Sequence, residues 1–306
     1  MVNEEYLENR YIKTKNKYRK IVSYKSGENK LRQRHEEIAK YLSENIDMSI
    51  FSKAYVEKSS IIKNARCHMY NDIFILFDVK DFFPSINHDY LAKQIYKYLA
   101  RKVDVTLSSC YKLVEICSCS SKGLPLGLVT SPVLSNIYMK EFDNILYGRL
   151  KGFQLDNIIY TRYADDIYIS YKAKEIDEKV FESIKEEVDC QLKRIGLRSN
   201  KKKEKVINIS SGGHVKVTGI SIIVDEKNYR RLSVGRKKKD QLFNDAISYV
   251  TKLKTNNEEA LRIKGYEAFV LSVEGKRYEE CYSINMKNLC KQMGYSSLHD
   301  LIHNMM

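Results

Sequence analysis

Five consecutive apolar residues, Ile73-Phe-Ile-Leu-Phe77, run up to Asp78 and form the clearest hydrophobic block in the chain. An unbroken run of that length predicts a central strand buried on both faces. A turn at Pro84-Ser85 follows, then a helix whose apolar stripe is Leu91, Ile95 and Leu99. Further on, Asn157-Ile-Ile-Tyr160 and Ile167-Tyr-Ile169 are β-forming arms on either side of Tyr163-Ala164-Asp165-Asp166. That pattern predicts a hairpin with both acids in its tight turn. Between these blocks, Lys122-Gly-Leu-Pro-Leu-Gly-Leu-Val-Thr-Ser-Pro132 is a glycine-bearing loop. Ser131 suits an N-cap there and Pro132 a first helical residue. The helix it starts carries Val133, Ile137, Phe142 and Leu146. An amphipathic helix with Ile176, Val180, Ile184, Val188 and Leu192 follows the hairpin, and Gly196 closes it.

The flanks are less periodic. The N-terminal part reads as basic and mostly helical, with a turn at Ser26-Gly27-Glu28-Asn29. Val206 to Val224 reads as strand-rich, and basic helices are expected from about Lys227 onward. Strand, helix, loop and helix, hairpin, helix, strand is the order of an α+β fold with helices on one face of a sheet.

Charge gives the flanks a purpose. The 306 residues carry a formal net charge of +14. Arg10 to Lys40 holds 11 Lys/Arg against 3 acids, and Leu197 to Lys264 holds 17 against 7. The remainder is therefore net acidic. Two basic arms around an acidic middle suit a clamp on a polyanion, and a nucleic acid is the natural one; solvated, solubilising helix faces are the alternative. No apolar run approaches the ~20 residues a membrane span needs, and the polar, acidic start carries no secretory signal. The seven cysteines are odd in number and irregularly spaced, and Cys117-Ser-Cys119 lacks zinc-knuckle spacing. Reduced thiols in a cytoplasmic protein without membrane attachment are expected.

The candidate chemistry is acidic. If the strand ending at Asp78 pairs with the hairpin bearing Asp165 and Asp166, three carboxylates meet at one sheet edge. Hard oxygen ligands of this kind suit two Mg2+ ions bracketing a transferred phosphoryl group. A solvated acidic turn is the competing reading of the Asp-Asp pair alone.

These residues also carry a resemblance. Phe77-Asp78-Val-Lys-Asp-Phe-Phe83, followed by Tyr163-Ala-Asp-Asp166, resembles motifs A and C of reverse transcriptases. Gly123-Leu-Pro-Leu-Gly127 with Ser131-Pro132 and Ser135-Asn136 resembles motif B. Asn64-Ala-Arg-Cys-His68 and Val217-Thr218-Gly219 resemble the Asn-Ala-x-x-His and Val-Thr-Gly elements of bacterial retron reverse transcriptases. The resemblance runs from about Tyr18 to about Tyr282.

It implies a right-hand polymerase: N-terminal fingers over 1–70, a palm over 71–222 with a fingers segment inserted at about 90–122, and a thumb over 223–306. It implies metal ligation by Asp78 and Asp165, with Asp166 assisting and the Val79 carbonyl available to the second Mg2+. Phe83 would be the gate that excludes a ribose 2′-OH, with Phe82 in the core. Lys203 would protonate pyrophosphate, although a solvated basic turn reads almost as well, and Lys58 and Lys63 would hold the triphosphate. Asn64 and His68, four apart on one helical face, would position RNA or the local fold. Gly127, Ser131, Val217, Thr218 and Gly219 would face the template–primer. Arg236, Lys237, Lys238 and Lys239, within the basic Lys227–Lys264 segment, would read the cognate RNA.

The implied activity is RNA-directed DNA synthesis from deoxynucleoside triphosphates. It copies a structured non-coding RNA into single-stranded DNA (msDNA), primed by a 2′-OH of that RNA, in a phage-defence system with an effector toxin as partner. Motif B departs from the family: Leu126 replaces the usual Gln, and Leu128-Val129 the usual Ala-Pro. The usual Arg-x-Ile-x-x-Pro stretch after Lys25-Ser-Gly27 is missing. Leu126 lacks the amide that would fix the backbone near the templating base, which favours a rival reading as a catalytically dispensable RNA-binding scaffold. An abortive-infection or group II intron relative is a third reading, disfavoured by Asn64–His68 and Val217–Gly219.

Overall fold

The structure is a computed structural model that describes residues 6–13, 18–27, 30–120, 122–210, 212–225, 229–252 and 256–305. Glu28 and Asn29 of the expected N-terminal turn, and Lys227 of the expected RNA-reading segment, lie outside the described residues. Two compact units emerge. One comprises the chain up to Asn64 together with Asn71–Asn208; the other comprises Ala65–Tyr70 and Ile209 onward.

The first unit opens on an antiparallel ribbon, β1 (Leu7–Lys13) and β2 (Tyr18–Tyr24). Helices were expected here. The ribbon is largely exposed on both faces, with Tyr11 and Tyr18 each 66% accessible. No buried side therefore imposes an apolar–polar alternation, and the β-forming Ile21-Val22-Ser23-Tyr24 stretch is hidden among lysines and arginines. Helix α1 (Lys30–Asn45) follows, and α2 (Ile61–His68) runs from the first unit into the second.

The central strand β3 (Ile73–Asp78) is buried as its run of apolar residues requires. After it come a single turn of helix, α3 (Phe82–Ser85), then α4 (His88–Leu99) and α5 (Leu107–Ser118). Leu91, Ile95 and Leu99 of α4 all reach the core. The long α6 (Ser131–Lys151) is buried on more than the expected stripe, adding Leu134, Tyr138, Met139 and Leu150. Its N-cap is Thr130, not Ser131, and no side chain caps it. The Ser131 hydroxyl donates instead to the Pro125 carbonyl at 2.6 Å, closing the glycine-bearing loop on itself.

The hairpin of β4 (Ile159–Tyr163) and β5 (Asp166–Tyr171) precedes α7 (Glu178–Arg194), and β6 (Lys205–Asn208) completes the unit. Ile176 lies just before α7, which Asp177 caps by accepting from the backbone N–H of Lys179 and Val180. The four strands form one antiparallel sheet in the order β4-β5-β3-β6. One cluster of buried side chains lies beneath it, with Ile73, Ile75, Phe77, Ile167 and Ile169 from the sheet and Ile137, Phe142, Leu146, Ile184 and Val188 from α6 and α7.

The second unit has a three-stranded antiparallel sheet, β7 (Gly213–Val217), β8 (Ile220–Val224) and β9 (Arg230–Ser233). The expected 222/223 domain boundary falls inside β8. Strand β9 occupies sequence expected to be helical, because Arg230-Arg-Leu-Ser233 pairs with β8 before the basic run begins. Thr218 and Gly219 join β7 to β8 with φ of +48° and +80°, the backbone of a two-residue type I′ turn. Helices α8 (Arg236–Thr251), α9 (Asn257–Glu274), α10 (Ile284–Gln292) and α11 (Leu298–His303) follow. They are tied inside by Lys239, whose ammonium lies 2.9 Å from Glu274.

A buried histidine fastens the ribbon to the rest of its unit. His35 Nε2 lies 3.1 Å from the Ile116 carbonyl and donates to it. Its Nδ1 accepts from the Tyr24 hydroxyl at 2.8 Å, and that hydroxyl accepts from the Val129 N–H. Burial holds the imidazole pKa below its ordinary 6.5. As pH drops, the unfolded chain takes up this proton first, so stability is lost as pH falls below about 6.5. The urea midpoint is expected to fall between about pH 7 and about pH 5, and His35→Gln to remove part of that fall in an equilibrium denaturation series.

Candidate active site

Register decides where the acids go. Asp78, the last residue of β3, sits directly opposite Asp166, the first residue of β5. The Val79 N–H donates to the Asp165 carbonyl at 2.9 Å, extending the ladder past the sheet edge. Tyr163 pairs with Asp166, leaving Ala164 and Asp165 as the turn. Ala164 has a φ of +57°, a left-handed conformation that costs a residue with a Cβ of order 1 kcal/mol. The three carboxylates expected to meet therefore share one end of the sheet.

Their surroundings are electrostatically tense. Burial raises the pKa of Asp165, and the charge of Asp78 adds to it. Burial followed by the charges of Asp165 and Asp78 pushes Asp166 up to about 6. Asp78 is only 8% exposed and accepts from Lys203 Nζ at 2.5 Å and Asn200 Nδ2 at 3.2 Å. That bond in turn raises the pKa of Lys203. Lys203 is half-exposed, and its ammonium meets Asp78. Arg19 of β2 also lends its positive charge to Asp165.

Among the described residues no three His, Cys, Asp or Glu side chains stand as a closed metal-ligand set. The Asp78 oxygens meet Lys203 and Asn200. The donors still suit a hard divalent cation: they are carboxylates, partly buried, mutually repelling and neutralised in part by one ammonium.

The remaining expected residues divide sharply. The Val79 side chain lies in the core cluster, and its N–H meets the Asp165 carbonyl. Phe82 is in the core and Phe83 half-buried, their rings 5.3 Å apart at 75°. The motif B loop is tied to this pair, since the Leu124 N–H donates to the Phe83 carbonyl at 2.8 Å. Gly127 is demanded by contact: a Cβ there would lie 2.3 Å from the Val22 carbonyl of β2. Leu126 accepts from the Val22 N–H through its own carbonyl, so backbone pairing engages the position where the family uses a glutamine. Lys63 donates to the Lys58 carbonyl, and Lys58 stands beside Glu57; neither ammonium bonds to the acids. Asn64 and His68 are fully buried on one helix.

In the second unit, Val217 is in the sheet core and Thr218-Gly219 form the turn. Lys237 and Lys238 are exposed, and Arg236 bonds to Asp240 and to the Cys281 carbonyl. Lys239 corrects the expectation: it is 5% exposed and paired inward with Glu274, so a run of four cations presents three to solvent.

Sequence reading missed Arg162 and Asp143, a fully buried ion pair behind the acidic turn. A lone arginine inside a β-forming, otherwise uncharged strand was the available signal, since charges are almost never fully buried without a partner. It also missed Tyr55, which feels the charge of Asp165.

The family described as "Reverse transcriptase (RNA-dependent DNA polymerase)" matches residues 11–242. The chain belongs to the reverse transcriptase family. It is similar to the retron Ec73 reverse transcriptase of Escherichia coli, 29% identical over 257 residues that cover 81% of this chain and 77% of the relative. The retron Ec86 reverse transcriptase of Escherichia coli is 27% identical over 263 residues, covering 86% and 74%. Among solved structures, telomerase from Candida albicans in complex with a fragment of telomeric RNA superposes with a TM-score of 0.54 at 10% identity, covering 92% of this chain. Apo telomerase from Candida tropicalis gives 0.52 at 11%, covering 96%. The chain spans 59% and 63% of those two telomerase chains. This likeness shows the fold: the α+β architecture expected from the sequence is that of a right-hand polymerase.

The raised pKa of Asp166 in this reverse transcriptase has a stability consequence. Between its ordinary 3.8 and about 6 the folded state holds a proton that the unfolded state has released. Stability from this group therefore falls as pH rises through that window. In EDTA at about pH 7.5, Asp166→Asn is expected to melt several degrees above wild type, and the gap to close near pH 4. Thermal unfolding across pH checks it.

Proposed function

We propose that the chain is an RNA-directed DNA polymerase of the retron kind, copying part of a structured non-coding RNA into single-stranded DNA. The observation that carries this is the register of β3 against β5, which brings Asp78 opposite Asp166 with Asp165 on the adjoining turn. Asp78 and Asp165 would hold two Mg2+ ions, with Asp166 assisting and the Val79 carbonyl as a further ligand. When bound, the ions supply an acidified attacking hydroxyl and charge neutralisation on the leaving pyrophosphate.

The chain's own groups do the rest. Lys203, whose ammonium meets Asp78, would deliver a proton to pyrophosphate. The half-buried ring of Phe83 narrows the space beside the nucleotide sugar, and deoxynucleotides are the substrates it admits. Lys58 and Lys63 are assigned to the triphosphate with less structural support than Arg19, whose charge already reaches Asp165. The ribbon and α1 serve as fingers, the four-stranded sheet as palm and the second unit as thumb. Its exposed Lys237 and Lys238, with Arg236, meet the cognate RNA.

Priming from a 2′-OH of that RNA, an msDNA product, phage defence alongside an effector toxin and a cytoplasmic setting follow from the retron resemblance. Among the described residues no helix is long and apolar enough to cross a membrane.

The test is a pair of substitutions, Asp165→Asn with Asp166→Asn. DNA synthesis on the cognate RNA is expected to fall by at least ~1,000-fold, several kcal/mol of lost transition-state stabilisation, while RNA binding persists. Nucleic acid extracted from the purified wild type is expected to contain ribonuclease-resistant DNA, and that from the variant none. Undiminished synthesis by the variant would refute the polymerase; absence of such DNA from the wild type favours the scaffold.

A further inference from the structure

The buried arginine behind the acidic turn has more donors than an ion pair needs. Arg162 Nε and Nη2 grip both oxygens of Asp143 on α6, at 2.8 and 2.9 Å. Nη1 is left over, and it donates to the Ala164 carbonyl at 3.2 Å and to Asn136 Oδ1 at 3.3 Å. The Ala164 carbonyl belongs to the peptide linking Ala164 to Asp165, and Ala164 is the turn residue with positive φ. One arm of a fixed planar fork therefore orients the peptide plane from which Asp165 departs.

Everything that holds the fork is itself held. The Arg162 N–H donates to the Phe51 carbonyl at 2.9 Å, and its carbonyl accepts from the Lys53 N–H at 2.7 Å. The Tyr160 hydroxyl donates to Asp143 at 2.6 Å. Asn136 accepts from the Ser52 hydroxyl at 2.8 Å and donates to the Ala54 carbonyl at 2.9 Å. Arg162, Asp143 and Asn136 are each fully buried. Asp143 and Asn136 both stand on α6, whose first turn ends the motif B loop. The hub thus references the acidic turn to the helix at the centre of the core.

A buried ion pair is weak evidence of stabilisation, because desolvation of both charges offsets their attraction and apolar replacement is often neutral. Geometry is what the pair supplies here. A guanidinium fixes three directions at once, which an ammonium does not. Placement of a metal-binding carboxylate is sensitive to displacements well under 1 Å.

We propose that Arg162, clamped by Asp143, is a positioning residue for the metal-binding turn: it fixes the Ala164–Asp165 peptide so that Asp165 faces Asp78. This rests on the metal-binding reading of the carboxylates given above.

The test is Mn2+ binding to protein stripped of nucleic acid, followed by the electron paramagnetic resonance of free Mn2+, with circular dichroism and thermal unfolding alongside. Four proteins are compared with wild type in the same buffer: Arg162→Lys, the apolar pair Arg162→Met with Asp143→Leu, and Asp165→Asn with and without Asp166→Asn. Arg162→Lys keeps the buried charge and is expected to fold, yet to bind Mn2+ about 10–100-fold more weakly, as for groups that orient metal ligands. The apolar pair is expected to fold and to show the same weakening. A folded variant of either kind with wild-type Mn2+ affinity overturns the proposal. So does failure of both to fold, since the pair would then be a structural element of the core. Equal Mn2+ binding by wild type and the Asp165 variants would instead remove the metal-binding reading, and the inference with it.

Discussion

Antiparallel pairing of β3 with β5 is the constraint on which the site depends. It sets Asp78 against Asp166 and, through one further bond from Val79 to Asp165, draws the tip of the neighbouring hairpin to the same end of the sheet. A slip of one residue would turn every side chain of β3 to the opposite face. Ile73, Ile75 and Phe77 would leave the core cluster they now fill, so burial of apolar surface enforces the register that gathers the acids. Like charges are brought together by a term much larger than their repulsion. The packing beneath the sheet is, in this sense, what holds the chemistry in place.

The repulsion is visible in what surrounds it. Asp165 and Asp166 hold their protons more tightly than ordinary carboxylates, chiefly through burial. Lys203 leans in from the loop before β6 to meet Asp78, and Arg19 contributes from the ribbon. Elsewhere the same physics is resolved differently. Arg162 with Asp143, and Lys239 with Glu274, are buried opposite charges with geometric partners on both sides. At the sheet end the balance is incomplete: Lys203 lies on Asp78, while burial and neighbouring charge still raise the pKa of Asp165 and Asp166.

How legible this was in the sequence depended on burial. Ile73 to Asp78, the Ile158–Ile169 hairpin and the stripes of α4 and α7 announced themselves, because a buried face enforces period or run length. The ribbon did not: with neither face packed against a core, its residues answer to solvent and carry no period. Ser131 was read as a cap because its type suits that role, while the helix starts one residue earlier and its hydroxyl serves the loop. Lys239 looked like its neighbours Lys237 and Lys238, since helical phase alone does not reveal an acid waiting on α9. Arg162 was passed over inside the β4 strand, where a charge should have prompted a search for its partner, and Asp143 looked like its polar neighbours Lys140, Glu141 and Asn144. The acids themselves were found by their motif and by strand ends, and the fold bore out their convergence though not a ready-made ligand set.

The central claim, that these three acids form a divalent-cation site, is tested most directly by diffraction from crystals soaked in Mn2+ with a non-hydrolysable deoxynucleoside triphosphate. Anomalous density between the carboxylates of Asp78 and Asp165, with Lys203 withdrawn from Asp78, is the result the account predicts. Bound nucleotide with no anomalous density there, and Lys203 still on Asp78, would contradict it.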